Sequence, residues 1–135
     1  MRLYRLIAHP GGYAVAHRLD GFAELIAHRV SSIDHIRFAN SGTEAVMMAL
    51  KAARAVTGRP KIAKCEGAYH GAYDYAEVSL DPTPDLWCEE APARVAYTRG
   101  APANMMADVV VIPFNDIDAA ARILRAHSRE LACIL

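Results

Sequence analysis

From Val15 onward, apolar residues return at Leu19, Phe22, Ile26 and Val30, spacings of three and four that predict an amphipathic helix ending near Ser31-Ser32. Gly21 is the weak link within it. His35-Ile36-Arg37-Phe38 then alternates briefly, the period of a short strand. A second helix is predicted from Thr43 to Thr57, apolar nearly all round with Glu44, Lys51 and Arg54 as a narrow polar stripe, a pattern that belongs to a mostly buried helix. Gly58 and Pro60 end it, and Lys61 to Cys65 follows as a strand. Asp108-Val109-Val110-Val111-Ile112 is a continuous apolar run of the kind carried by a strand covered on both faces. A helix from about Ile117 to His127 and a strand opening at Leu131 complete the pattern. Strand, helix, strand in this order predicts parallel β-α-β units, hence an α/β fold with an incomplete, mostly parallel sheet and covering helices.

Between these units, Ser79 to Ala107 holds Pro82, Pro84, Pro92, Pro102 and Gly100 and little periodicity, so it reads as a long loop of a kind that is either functional or poorly ordered. The 135 residues are enough for one domain, and 53% hydrophobic against 22% charged residues describe a chain that buries much of its surface. With 15 basic and 15 acidic residues the formal charge is zero, which argues against nucleic acid as a partner. No apolar run reaches the roughly 18 residues of a membrane span, and His9-Pro10-Gly11-Gly12 interrupts any leader that Met1-Arg2-Leu3-Tyr4-Arg5 begins. Cys65, Cys88 and Cys133 are odd in number and far apart, and His9, His17, His28, His35, His70 and His127 include no metal-binding spacing. The expectation is a protein of a reducing, cytoplasmic compartment with no metal.

Chemistry enters at Phe38-Ala39-Asn40-Ser41-Gly42-Thr43-Glu44-Ala45. Ser41 and Glu44 have the Ser-x-x-Glu spacing of a capping box, which leaves other first-turn N–H groups without partners. Gly42 lets a ligand approach that backbone, and the helix dipole favours an anion such as phosphate. A capped helix after a short strand needs no ligand, however, and taken alone the motif reads first as ordinary architecture, since helix-start signals are far commoner than anion sites. Directly after the Lys61 to Cys65 strand stands Glu66-Gly67-Ala68-Tyr69-His70-Gly71, an aromatic ring and an imidazole between two glycines. Both motifs should emerge beyond the carboxyl ends of parallel strands, where ligands of such sheets sit. A phosphorylated planar heterocycle would use the helix end for its phosphate and the ring for stacking.

Phe38 to Ala45, the continuation Met47-Met48-Ala49-Leu50-Lys51-Ala52-Ala53-Arg54, Gly58-Arg59-Pro60-Lys61-Ile62 and Glu66 to Gly71 together resemble the class III pyridoxal-phosphate aminotransferases. The Tyr-His-Gly form and Tyr97-Thr98-Arg99-Gly100 are most similar to the glutamate-1-semialdehyde 2,1-aminomutase branch. Residues 22–135 carry the resemblance, including Pro113-Phe114-Asn115-Asp116, and residues 1–21 match poorly.

The resemblance implies part of the large domain of the fold-type I, aspartate-aminotransferase-like architecture, with pyridoxal 5'-phosphate as cofactor. It implies that Gly42 and Thr43, helped by Ser41, hold the phosphate and that Tyr69 stacks on the ring. His70 and Glu66 stand beside the site as positioning groups, Asn115 is a further candidate, and residues 79–107 are the active-site loop. It also implies small amino and carbonyl substrates and a homodimer for a complete enzyme. The family's Schiff-base lysine and the Asp that pairs with the pyridine nitrogen are expected beyond Leu135, and Lys51, Lys61 and Lys64 do not stand in that lysine's context. On this reading the chain is a truncated, inactive piece, and the alternatives are a non-catalytic phosphate-binding or interaction module and a non-functional remnant.

Overall fold

The computed structural model describes residues 13–87 and 91–135, with side chains from Leu19 onward in the first helix. The expectations placed on residues 1–12, on the side chains of Val15 and His17, and on Cys88 fall outside the described residues. The chain divides into two units, Met1–Phe38 and Ala39–Leu135.

In the first unit helix α1 runs Tyr13–Arg29, as the spacing predicts, with His28 and Arg29 in its last turn, where cations meet the negative end of the helix dipole. The alternation at His35 to Phe38 does not become a strand. Asp34, His35 and Arg37 are exposed, and Phe38 stacks on Phe22 with ring centroids 5.6 Å apart, so its apolar surface is used within this unit and no ladder forms.

The second unit is built on a three-stranded parallel sheet of order β2-β1-β3, with β1 over Lys61–Cys65, β2 over Val109–Ile112 and β3 over Leu131–Ile134. Ile62 pairs with Val109 on one side and Cys133 on the other. Helix α4, Ile117–Ala126, links β2 to β3 across β1, and Asp116 caps it by accepting the Ala119 N–H at 2.9 Å. The alternate residues of β1 serve two faces. Ile62 joins Leu50, Val78, Met105, Val109 and Val111 in one core, while Ala63 joins Val110 and Ile112 in another, packed by Ile123 and Leu124 of α4. Each fully buried Leu, Ile or Val contributes roughly 1.5–3 kcal/mol to these faces.

Helix α2 spans Gly42–Thr57 and ends as the sequence predicts: Gly58 is left-handed at φ 67 and donates its N–H to the Arg54 carbonyl at 2.9 Å. It is less buried than its composition predicts. Leu50 alone is fully buried and Val56 is 87% exposed, because one face packs on the sheet while nothing among the described residues covers the other. Arg54 turns its guanidinium over Tyr75, 4.2 Å from the ring centroid, and donates from Nε to the Pro60 carbonyl at 2.7 Å. The stretch after β1 forms one short helix, α3, Asp74–Glu77.

The 79–107 segment is more structured than an open loop. It contains 3-10 turns at Pro84–Leu86 and Ala103–Asp108 and buries Met105. Ser79, buried and at φ 53, fixes its start: Oγ donates to the Ala93 carbonyl at 2.6 Å and accepts the Val95 N–H at 3.0 Å. Cys65 and Cys133 are free, and the described residues contain no helix long and apolar enough to cross a membrane and no group of side chains that could hold a metal ion.

Candidate functional site

The N-terminus of α2 is built by Ser41, whose extended backbone (φ −150, ψ 162) stands outside the helix while its Oγ accepts the Glu44 N–H at 3.2 Å. Glu44 reaches back as expected, but Oε2 takes the Asn40 N–H at 2.7 Å, one residue earlier than in a reciprocal capping box. The Ala45 N–H bonds to the Ser41 carbonyl at 3.1 Å. The amides of Gly42 and Thr43 are thereby left for an outside acceptor at the positive end of the helix dipole. A Cβ at Gly42 would meet nothing within 4 Å, so the space over this amide is open.

The segment after β1 comes to meet this helix end. Gly67 turns it at φ 71 and Gly71 at φ 91, and between them Tyr69 stands 68% exposed. The Ala72 N–H donates to Thr43 Oγ1 at 3.2 Å. The approach is so close that a Cβ at Gly71 would lie 2.5 Å from Thr43 Oγ1 and 2.8 Å from Thr43 Cα, which is why glycine is required there. The result is a cleft of about 410 Å³ lined by Gly42, Thr43, Val46, Tyr69, His70 and Gly71. A second cavity of about 250 Å³, between Val110, Ile123, Arg122 and His127, is lined by Ala91, Pro92 and Arg94 of the 79–107 segment and by none of the residues predicted to hold the cofactor.

Three charged or titratable groups meet at the carboxyl end of β1. Lys64, on the Ile62 face of the strand, is fully buried, and its Nζ donates to the Val78 carbonyl at 2.6 Å. Burial pushes its pKa down to about 8, against the opposing pull of Cys65 and Glu66. Burial raises the Glu66 carboxyl, with Lys64 acting the other way. The His70 imidazole is lowered, first by burial and then by the charge of Lys64. Glu66 Oε1 and His70 Nε2 are both buried without a hydrogen-bond partner among the described residues.

Of the residues predicted from sequence, Gly42, Thr43, Tyr69 and His70 therefore share one cleft, and Ser41 shapes its helix end. Glu66 sits at the sheet edge next to Lys64 and does not line the cleft. Asn115, left-handed at φ 60, leaves β2 at the same edge of the sheet, since Cys65 and Ile112 are register partners, but it does not line the cleft either. No described residue of the 79–107 segment does so. Val46, Gly71 and the Ala72 amide join the site without having been assigned a role from sequence. The two glycines that flank Tyr69-His70 were the available signal for Gly71.

Chemically, this arrangement holds and stacks. Two free amides and the Thr43 hydroxyl suit a phosphate, and the exposed Tyr69 face suits a flat ring. The residues thus fit a phosphorylated pyridine. No lysine lines the cleft, and Lys64 Nζ is engaged away from it on Val78.

The chain folds as an α/β unit with a small parallel sheet, and the solved structures it resembles are pyridoxal-phosphate-dependent transaminases of fold type I. An omega-transaminase from Sphaerobacter thermophilus matches with a TM-score of 0.73 at 45% identity, covering 94% of this chain and 32% of that one. A transaminase with PLP bound matches at 0.71 and 44% identity, covering 86% and 26%. The aminotransferase class-III family profile matches residues 10–110, and the chain belongs to that family. Class III aminotransferases use pyridoxal phosphate. Among curated relatives, the glutamate-1-semialdehyde 2,1-aminomutase of Methanothermobacter thermautotrophicus is 41% identical over 113 residues, and that of Methanococcus maripaludis 40%. These alignments take in 84% of this chain and 25% of each relative, so the chain spans about a quarter of their length.

Proposed function

We propose that this chain supplies the phosphate- and ring-binding side of a pyridoxal-phosphate site, within an enzyme that moves an amino group between an amino and a carbonyl compound in the manner of the glutamate-1-semialdehyde aminomutase branch. The observation that carries the reading is the convergence of the free helix end at Gly42-Thr43 with Tyr69 and His70 in one cleft. When bound, the cofactor supplies an aldehyde that condenses with amines and a ring that accepts an electron pair. The chain's own residues do the holding. The Gly42 and Thr43 amides and the Thr43 hydroxyl would take the phosphate, with Ser41 fixing the helix end. Tyr69 would cover one ring face and exclude water from it. His70, kept neutral, would offer Nε2 to a ring substituent, while Glu66 and Asn115 are positioning candidates at the same sheet edge.

The absence of a lysine from the cleft lining supports a second statement: the 135-residue chain binds cofactor without turning over substrate. The complete enzyme would act on small molecules as a homodimer, which sedimentation checks. Titration of pyridoxal phosphate against the protein, read by absorbance and tryptophan fluorescence, tests the reading. Saturable binding that weakens about tenfold or more on Thr43→Ala is expected, from loss of a hydrogen bond to a charged oxygen. Binding unaffected by Thr43→Ala, or amino transfer by the 135-residue chain that a lysine substitution abolishes, would overturn it.

A further inference from the structure

Lys64 is the one lysine in the buried core, and nothing so far explains it. Its strand neighbour on the same face is Ile62, its register partner is Val111, and Val78 lies beyond, all apolar and buried. A methionine or leucine would fill this position without desolvating an amine, and replacing buried charge by apolar side chains usually leaves a fold as stable or more so. A lysine held here at a stability cost is a candidate for a role other than packing.

Its hydrogen-bond partner among the described residues gives that role. The segment Glu66 to Ser79 leaves the end of β1 and returns to it, and two hydrogen bonds close its neck: Gly67 N–H to the Ser79 carbonyl at 2.8 Å, and Lys64 Nζ to the Val78 carbonyl at 2.6 Å. At the far side of this closed segment stand Tyr69, His70, Gly71 and the Ala72 amide that engages Thr43. We propose that Lys64 is a positioning residue: by clamping the Val78 carbonyl at the neck of this segment, it presents Tyr69 and His70 to the Thr43 cleft.

A second effect travels with the first. Burial first, and then the charge of Lys64, lowers the His70 imidazole; the same charge acts on Glu66 against its burial, while Cys65 and Glu66 are the groups whose charge acts back on Lys64. A purely structural filler would lack this electrostatic signature. The proposal rests on the reading of the cleft as the cofactor site, and two of its three readouts need no cofactor.

The test compares wild type, Lys64→Met and Lys64→Arg in the complete protein as its gene encodes it. It measures amide hydrogen exchange over residues 68–72, the His70 titration by NMR (assigned with His70→Gln) and pyridoxal-phosphate affinity. In Lys64→Met, exchange is expected to quicken and cofactor affinity to fall about tenfold each, the effect of one lost hydrogen bond to a charged group, and His70 to titrate at higher pH. Lys64→Arg, which keeps charge and donor, restores the His70 titration and most of the affinity. Unchanged exchange and an unchanged His70 titration in Lys64→Met overturn the proposal. Where Lys64→Met does not fold, wild-type exchange decides: amides of residues 68–72 that exchange as freely as those of an open chain show that the neck holds nothing in place, and they overturn the proposal. A wild-type protein that binds no cofactor refutes the cleft reading and leaves the exchange and titration results to judge Lys64.

Discussion

Replacing Gly71 by alanine puts a methyl carbon 2.5 Å from Thr43 Oγ1 and 2.8 Å from Thr43 Cα. The hydroxyl could swing aside, but the Cα belongs to the first turn of α2 and cannot. Two penalties follow. A φ of 91 is unfavourable for any L side chain, by roughly 1–2 kcal/mol, and overpacking against backbone adds roughly 1–3 kcal/mol. A loss of about 2–5 kcal/mol in unfolding free energy is therefore expected by urea titration, unless the segment backs away from Thr43. In that case the Ala72–Thr43 hydrogen bond breaks and phosphate affinity falls instead. Gly67 supplies the control: it too has a positive φ, 71, but a Cβ there meets nothing within 4 Å. Gly67→Ala should lose the backbone term only. If Gly71→Ala costs no more than Gly67→Ala and binds pyridoxal phosphate as wild type does, the close approach at Thr43 has been misjudged.

Gly42→Ala separates binding from folding in the opposite sense. Its Cβ enters open space on a helix, where alanine is the better former by up to about 1 kcal/mol, so stability should hold or rise while phosphate affinity drops as the methyl stands over the approach to the amide. Calorimetric titration with inorganic phosphate and a thermal melt check both halves, and unchanged affinity would refute it. Lys64 gives a pH signature. Its pKa falls from 10.5 to about 8 on folding, so between those values the unfolded chain keeps a proton that the folded chain has released. Stability attributable to this residue must then rise with pH across the window, from a penalty of roughly 3 kcal/mol below pH 8. Urea stabilities of wild type relative to Lys64→Met should converge or cross in that direction between pH 7.5 and 10.5, and a flat difference would contradict the buried charge.

Much of this fold was legible because its signals are local. Ser41 and Glu44 at one end of α2 and Gly58 at the other, the four apolar residues of β2, and Asp116 ahead of α4 each fix an element through chemistry a few residues wide. His35 to Phe38 misled because alternation marks a strand only where a partner strand is at hand, and Phe38 found Phe22 instead. The exposure of α2 was invisible for a similar reason: composition records what a face could bury, not what arrives to cover it. Gly42, Thr43, Tyr69 and His70, singled out by motif order, line one cleft. Lys64 was set aside with Lys51 and Lys61 as out of context for the family's lysine, because its partner is a backbone carbonyl fourteen positions along, which no side-chain pattern reports.

The hydrogen bond from Ala72 to Thr43 Oγ1 makes the two walls of the cleft thermodynamic neighbours. Thr43 is at once a residue that would grip the anion and the peg on which the Tyr69–His70 segment hangs. Any free energy by which a bound anion steadies Thr43 must reappear as added order in that segment, and whatever stiffens the segment must tighten the anion by the same factor. On the proposed reading, ring and phosphate sites joined in this way would not fill independently: a ligand carrying both groups would gain more than the sum of its halves, and inorganic phosphate and an unphosphorylated ring, offered together, should each raise the affinity for the other.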